Sequence, residues 1–146
     1  MTKINFYATQ HHTLRSRVFL ACRLVEKARE HNMKVHIYTD SDKTTRQMDE
    51  MLWIWKDTSF IPHISDINPG FFNHPQEAVI ISSQSHFQSM SRCDYLINLS
   101  NQVPEFFPSY LKMAEIIDQT ERILTAGRER YSFYKNRGYT LNYYQL

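Results

Sequence analysis

Cations and aromatic rings alternate in the final stretch GRERYSFYKNRGYTLNYYQL, residues 127–146. Arg128, Arg130, Lys135 and Arg137 stand there against one acid, Glu129, among Tyr131, Phe133, Tyr134, Tyr139, Tyr143 and Tyr144. A guanidinium fork holds a carboxylate or a phosphate, and an open ring receives a base or an apolar side chain. Two ligands fit that chemistry: a single-stranded nucleic acid, or a short acidic peptide with an apolar end. The whole chain carries a net charge of only +2, so any basic footprint is local. On a helix, Arg128, Ser132 and Lys135 share one stripe, and Leu124, Tyr131 and Tyr134 share its neighbour. Cations beside a short apolar trough favour the peptide, because a strand of bases needs a longer basic groove.

Other residues could do different chemistry. YTDSD (38–42) ends a strand with Asp40 and Asp42, which could hold Mg²⁺ for phosphoryl or glycosyl transfer. The same acids suit the cap and first turn of the next helix, which is the commoner use. The seven histidines form no HExxH, and neither Cys22 nor Cys93 sits in a CxxC, so no metal site is expected. Glycine occurs only at 70, 127 and 138. A phosphate-cradling GxGxxG or GxxxxGK[ST] loop therefore has nothing to be built from, and no cofactor is expected. A non-catalytic protein is the reading, with a Mg²⁺-dependent nucleotide-processing enzyme or a direct single-strand binder as alternatives. MLWIWKDTSFIPH (51–63) marks a second surface. Trp53 and Trp55, two apart on a helix, cannot face one core together, and Phe60, Ile61 and Pro62 follow. Large apolar side chains at a helix end and its loop suggest a protein interface.

The elements that must position these residues follow from periodicity. INFYA (4–8) reads as a strand, and 13–33 reads as a helix with Thr13 as its cap and a stop at His31-Asn32. A strand at 34–39 leads into a helix at 40–55, capped by Asp40 or Ser41. A long loop follows at 56–76. Strands are expected at 78–82, 94–100 and 112–118, with a turn carrying exposed aromatics at 103–111. The terminal helix covers 119–138 and stops at Gly138. Gly127 inside it implies a close helix contact. The result is a single α/β domain over residues 1–146, with a mostly parallel five-stranded sheet and helices on both faces. Its arrangement is Rossmann-like without the dinucleotide fingerprint.

The 146 residues are 42% hydrophobic and 22% charged, an ordinary globular composition. Two unpatterned thiols suggest a reducing compartment. The opening MTKINFYATQHHTLRSR lacks a leader's apolar stretch, and AVII (78–81) is far short of the ~20 residues of a membrane helix. A cytoplasmic protein without membrane contact is expected.

VHIYTDSDKTTRQMDEMLWIWKDTSFIPH (35–63) resembles a segment of the chi subunit family of bacterial DNA polymerase III holoenzyme. That family carries a DE-x-LW element, here Asp49, Glu50, Leu52 and Trp53. It follows with SF-[IV]-PH, here Ser59, Phe60, Ile61, Pro62 and His63. RERYSFYKNRGYTLN (128–142) is similar to the family's terminal RERY-x-x-Y…G-[FY]-x-LN. Residues 64–110 share only the hydrophobic pattern. The resemblance implies a non-catalytic subunit of the clamp-loader assembly in the bacterial replisome. It implies one-to-one pairing with a psi subunit, which tethers it to the loader ATPases. It also implies capture of the acidic, Phe-terminated tail of single-stranded DNA-binding protein, with only indirect contact to DNA. Arg128 and Tyr131 fall on matched tail-binding positions, with Lys135 and Leu124 beside them. Trp53, Phe60, Ile61 and Pro62 fall to the psi side, a surface that a repair helicase could share. Where family members have further lysines this chain has Leu124 and Ser132, which predicts weaker, less salt-sensitive tail binding.

Overall fold

The computed structural model describes residues 1–55, 61, 63–65, 79–83 and 94–146. In β1 (Lys3–Ala8) the side chains alternate, with Ile4, Phe6 and Ala8 buried on one face and Asn5 and Tyr7 on the other. Helix α1 (Leu14–Glu30) starts where the Thr13 hydroxyl accepts the Ser16 N–H at 3.2 Å. It buries Val18, Ala21, Cys22, Val25 and Ala28 at helical spacing. The chain leaves it through Asn32, whose φ of 58° is the left-handed turn that asparagine tolerates. Strand β2 (Val35–Tyr38) leads to α2 (Asp42–Ile54), where Ser41, not Asp40, is the cap and accepts the Thr44 N–H.

The remaining elements are β3 (His63–Ser65), β4 (Val79–Ser82), β5 (Tyr95–Asn98), β6 (Lys112–Ile117), α3 (Glu121–Asn136) and β7 (Leu141–Gln145). The strands form one sheet of seven in the order β3-β4-β2-β5-β6-β1-β7, and every pairing is parallel. The α/β class with helices on both faces holds, while the sheet has two strands more than the five expected. β3 lies inside the segment read as loop, and β7 follows Gly138. Both are edge strands, and each becomes a strand only by pairing with a distant partner, β4 or β1. Neither leaves the full apolar run of a strand covered on both faces.

Helices α1 and α2 cover one face, burying Met48 and Leu52 with Val35, Ile37, Tyr95, Ile97, Ala114 and Ile116. On the other face Tyr134 of α3 packs with Ile4, Phe6, Leu96 and Met113. The aromatics expected to be exposed at 103–111 are instead core. Phe106, Phe107 and Tyr110 are at most 5% exposed and finish that layer beside α3 through a short 3₁₀ turn, Phe107–Ser109. His36 stacks on Phe106 at 5.6 Å, and its Nδ1 lies 2.6 Å from the Tyr110 hydroxyl. No helix among the described residues is long and apolar enough to cross a membrane.

Candidate functional site

Helix α3 has two sides with different duties. Ile123, Gly127, Arg130 and Tyr134, at helical spacing, face the sheet and are buried. A Cβ on Gly127 would stand 2.9 Å from Ile117 Cγ2, so glycine alone lets the helix approach β6 this closely. Below it, Glu115 on β6 is fully buried. Its carboxylate accepts from Arg130 Nε at 3.0 Å, from Asn98 Nδ2 at 3.0 Å and from the Tyr134 hydroxyl at 2.5 Å. Burial pushes the Glu115 pKa up, and these three donors oppose it. Tyr134, expected beside the apolar trough, is thus a core residue.

The outer side of α3 carries the predicted site. Leu124, Arg128, Tyr131 and Ser132 border a cavity of about 500 Å³. Its other walls are Phe6 of β1, Ile117 of β6 and Tyr143 of β7. Phe6 sits 5.3 Å from Tyr131 and 6.5 Å from Tyr143, the latter nearly parallel at 17°. The cavity is therefore an aromatic slot with a guanidinium at its rim. Arg128 is exposed, and among the described residues no carboxylate pairs with it. Lys135 is exposed further along the helix and does not line the slot. Arg137 is occupied elsewhere, its guanidinium 3.6 Å from the Phe133 ring centroid.

The second surface lies at the far end of the sheet. Trp53 is 55% exposed, while Trp55 is half-buried and packs edge-on against Phe19 at 4.9 Å. His63 of β3 sets Trp53 in place. The two rings meet edge to face at 5.0 Å. Nδ1 of His63 donates to the Ile61 carbonyl at 2.8 Å, and Nε2 lies 3.2 Å from Asp49 Oδ1. The two halves of the 49–63 pattern thus meet in space, Asp49 and Trp53 on α2 clasping His63 on β3. Ile61 is 4% exposed and belongs to the core, so it supports this surface from beneath. Phe60 and Pro62 lie outside the described residues.

The family described as DNA polymerase III chi subunit, HolC, matches residues 1–142. The chain belongs to the DNA polymerase III chi subunit family. DNA polymerase III subunit chi of Pseudomonas aeruginosa is 30% identical over 146 residues, covering 100% of this chain and 98% of that protein. The Haemophilus influenzae chi subunit is 26% identical over 123 residues, 84% of this chain and 83% of its own length. That of Escherichia coli is 25% identical over 123 residues, 84% and 81%.

In this member of the chi family Asp40 and Asp42 have structural roles. Asp40 Oδ2 accepts the Asn101 N–H at 3.1 Å, and Asp42 opens α2, where a negative charge favours the helix dipole. Among the described residues no three His, Cys, Asp or Glu side chains group as metal ligands. Cys22 is buried, which pushes its thiol up to about 12, and Cys93 lies outside the described residues. Sequence reasoning missed Phe6, Ile117 and Tyr143 as walls of the slot. The one available signal was Gly127, because a glycine amid good helix formers points to whatever packs against it.

Proposed function

We propose that this chi-family chain is a non-catalytic adaptor of the polymerase complex that holds the acidic, Phe-terminated tail of single-stranded DNA-binding protein in the α3 slot. The observation that carries the reading is one cavity joining an exposed guanidinium, Arg128, with no carboxylate partner among the described residues, to a slot of three rings, Phe6, Tyr131 and Tyr143. An acidic peptide ending in Phe needs those two things together. Arg128 takes the carboxylates, and the slot takes the ring. Burying one Phe side chain is worth about 1.5–3 kcal/mol, or roughly ten- to a hundredfold in affinity. With Leu124 and Ser132 in place of cations, and Lys135 outside the slot, the apolar share of the binding is large. Salt dependence should then be mild. A strand coated by many tails offsets modest single-site affinity through effective concentration.

The Trp53 surface, with Ile61 beneath it, is assigned in the same proposal, together with Phe60 and Pro62 of the same sequence motif, to a psi subunit in a one-to-one heterodimer, or to a repair helicase using the same face. An exposed tryptophan held by a packed histidine is the kind of rigid anchor that dominates interface energy.

The test is binding of a labelled acidic peptide ending in Phe to the intact chain, to Arg128→Ala, and of the same peptide without its Phe. Both changes should weaken binding by about tenfold or more. Equal binding of the truncated peptide would remove the slot from the proposal. Steep salt dependence would refute the apolar weighting.

A further inference from the structure

We infer that the open face of the β1–β7 edge, on the side of the sheet opposite α3's slot, is a contact surface for single-stranded nucleic acid. Helix α1 lies over β2 and β6 on this side, and Tyr7 of β1 packs against the core beneath it. The edge strand β7 carries Tyr144 outward on the same face. Tyr7 and Tyr144 stand there as cross-strand neighbours, their rings stacked at 5.3 Å and 20°. Tyr7 is half-buried and Tyr144 is 45% exposed. Asn142 Nδ2 donates to Asn5 Oδ1 at 3.1 Å beside them, which ties β7 to β1 under the rings.

Cations line this platform. Arg15, Arg23 and Lys27 succeed one another along α1 over about 18 Å of helix axis, and all three are exposed. Lys112 lies deeper, its Nζ 5.4 Å from the Tyr95 ring centroid. Two adjoining cavities of about 330 and 470 Å³ share Arg23, Leu20 and Leu146. No Asp or Glu side chain lines either, and the acids of α1, Glu26 and Glu30, lie outside both. Among the described residues no carboxylate pairs with any of the four cations.

A row of exposed cations along a sheet edge, beside an exposed tyrosine ring, suits a flexible polyanion whose repeating unit has a π-face. The α3 slot is the contrast: it encloses one apolar group and offers one guanidinium. A base can stack on the Tyr7–Tyr144 pair while its neighbouring phosphates meet Arg23, Lys27 and Lys112.

The experiment is a fluorescence-anisotropy titration of labelled oligothymidylate with the intact chain across a salt series. Binding should weaken with log salt by about 0.7 per phosphate contacted. The exposed double change Arg23→Glu/Lys27→Glu should cost about tenfold or more and flatten the salt slope. Tyr144→Ala should cost roughly tenfold with the slope kept. Thermal melts check that both variants remain folded, and Arg128→Ala should bind as the parent does. No binding by the parent chain at low salt, or binding indifferent to these changes, overturns the inference. So does loss of binding in Arg128→Ala alone. Polyglutamate bound as tightly, with the same dependence on Arg23 and Lys27, would give the surface to an acidic protein instead.

Discussion

Arg128 and Arg130 are two residues apart on α3 and live under opposite rules. Arg130 is 3% exposed and ends on the buried carboxylate of Glu115. Arg128 is exposed at the mouth of an aromatic slot with no carboxylate among the described residues for a partner. A pitch of 3.6 residues turns them to different sides of one helix. One guanidinium is part of what keeps α3 on the sheet, and the other is free to meet a ligand. The inner side of α3 is thus a place where charge is costly to disturb, and the outer side a place where it is cheap to disturb and expensive only for binding.

The largest effect should come from breaking the inner side. Arg130→Ala leaves Glu115 buried with less compensation, at about 3–5 kcal/mol. Tm should fall by roughly 10 °C in thermal denaturation. A fall of only a degree or two would mean that Glu115 is held well enough by Asn98 and Tyr134, and the contrast would weaken. Acid should find the buried groups next. Burial of His36 pushes its pKa from 6.5 down to about 4. The folded state then binds fewer protons than the unfolded chain between those values. Stability is full above pH 6.5 and is lost as pH falls toward 4, by about 3 kcal/mol. Denaturant melts across that range should show the decline, and His36→Gln should flatten it.

Gly127→Ala tests the boundary between the sides. Its Cβ would meet Ile117 Cγ2 at 2.9 Å, and Ile117 also walls the slot. About 1–3 kcal/mol of stability should be lost, together with some affinity for the acidic peptide. A change in only one of the two would separate packing from the slot. Arg128→Ala is the smallest perturbation of the fold, within about 0.5 kcal/mol in a denaturant melt. A larger loss of stability would show that Arg128 also serves the fold.

Much of this was legible in advance, residue by residue. Thr13 was read as a cap and is one, because the hydroxyl reaches a donor three residues on. Gly138 was read as a stop and has φ 83°. Gly127 was read as a close contact and is one. Leu124, Arg128 and Tyr131 were placed together by helical spacing and line one cavity. Lys135 shares their spacing but does not line the cavity.

What was not legible was whatever depends on a distant partner. The aromatics of 103–111 looked exposed because polar residues and prolines surround them, and only the sheet beneath shows that Phe106, Phe107 and Tyr110 are its cover. LNYYQ gave no sign of joining β1 from more than a hundred residues away, yet that pairing brings Tyr143 to the slot and Tyr144 to the opposite face. Nothing local in KMAEII marks Glu115 as buried, and its burial follows from Arg130 and Tyr134 arriving from another element. Caps, stops and helix sides are settled within a few residues by hydrogen bonds and pitch, so the chain carries them locally. Strand neighbours, the walls of a cavity and the protonation of a buried acid depend on which segments share a volume. That was decided only when the sheet closed up.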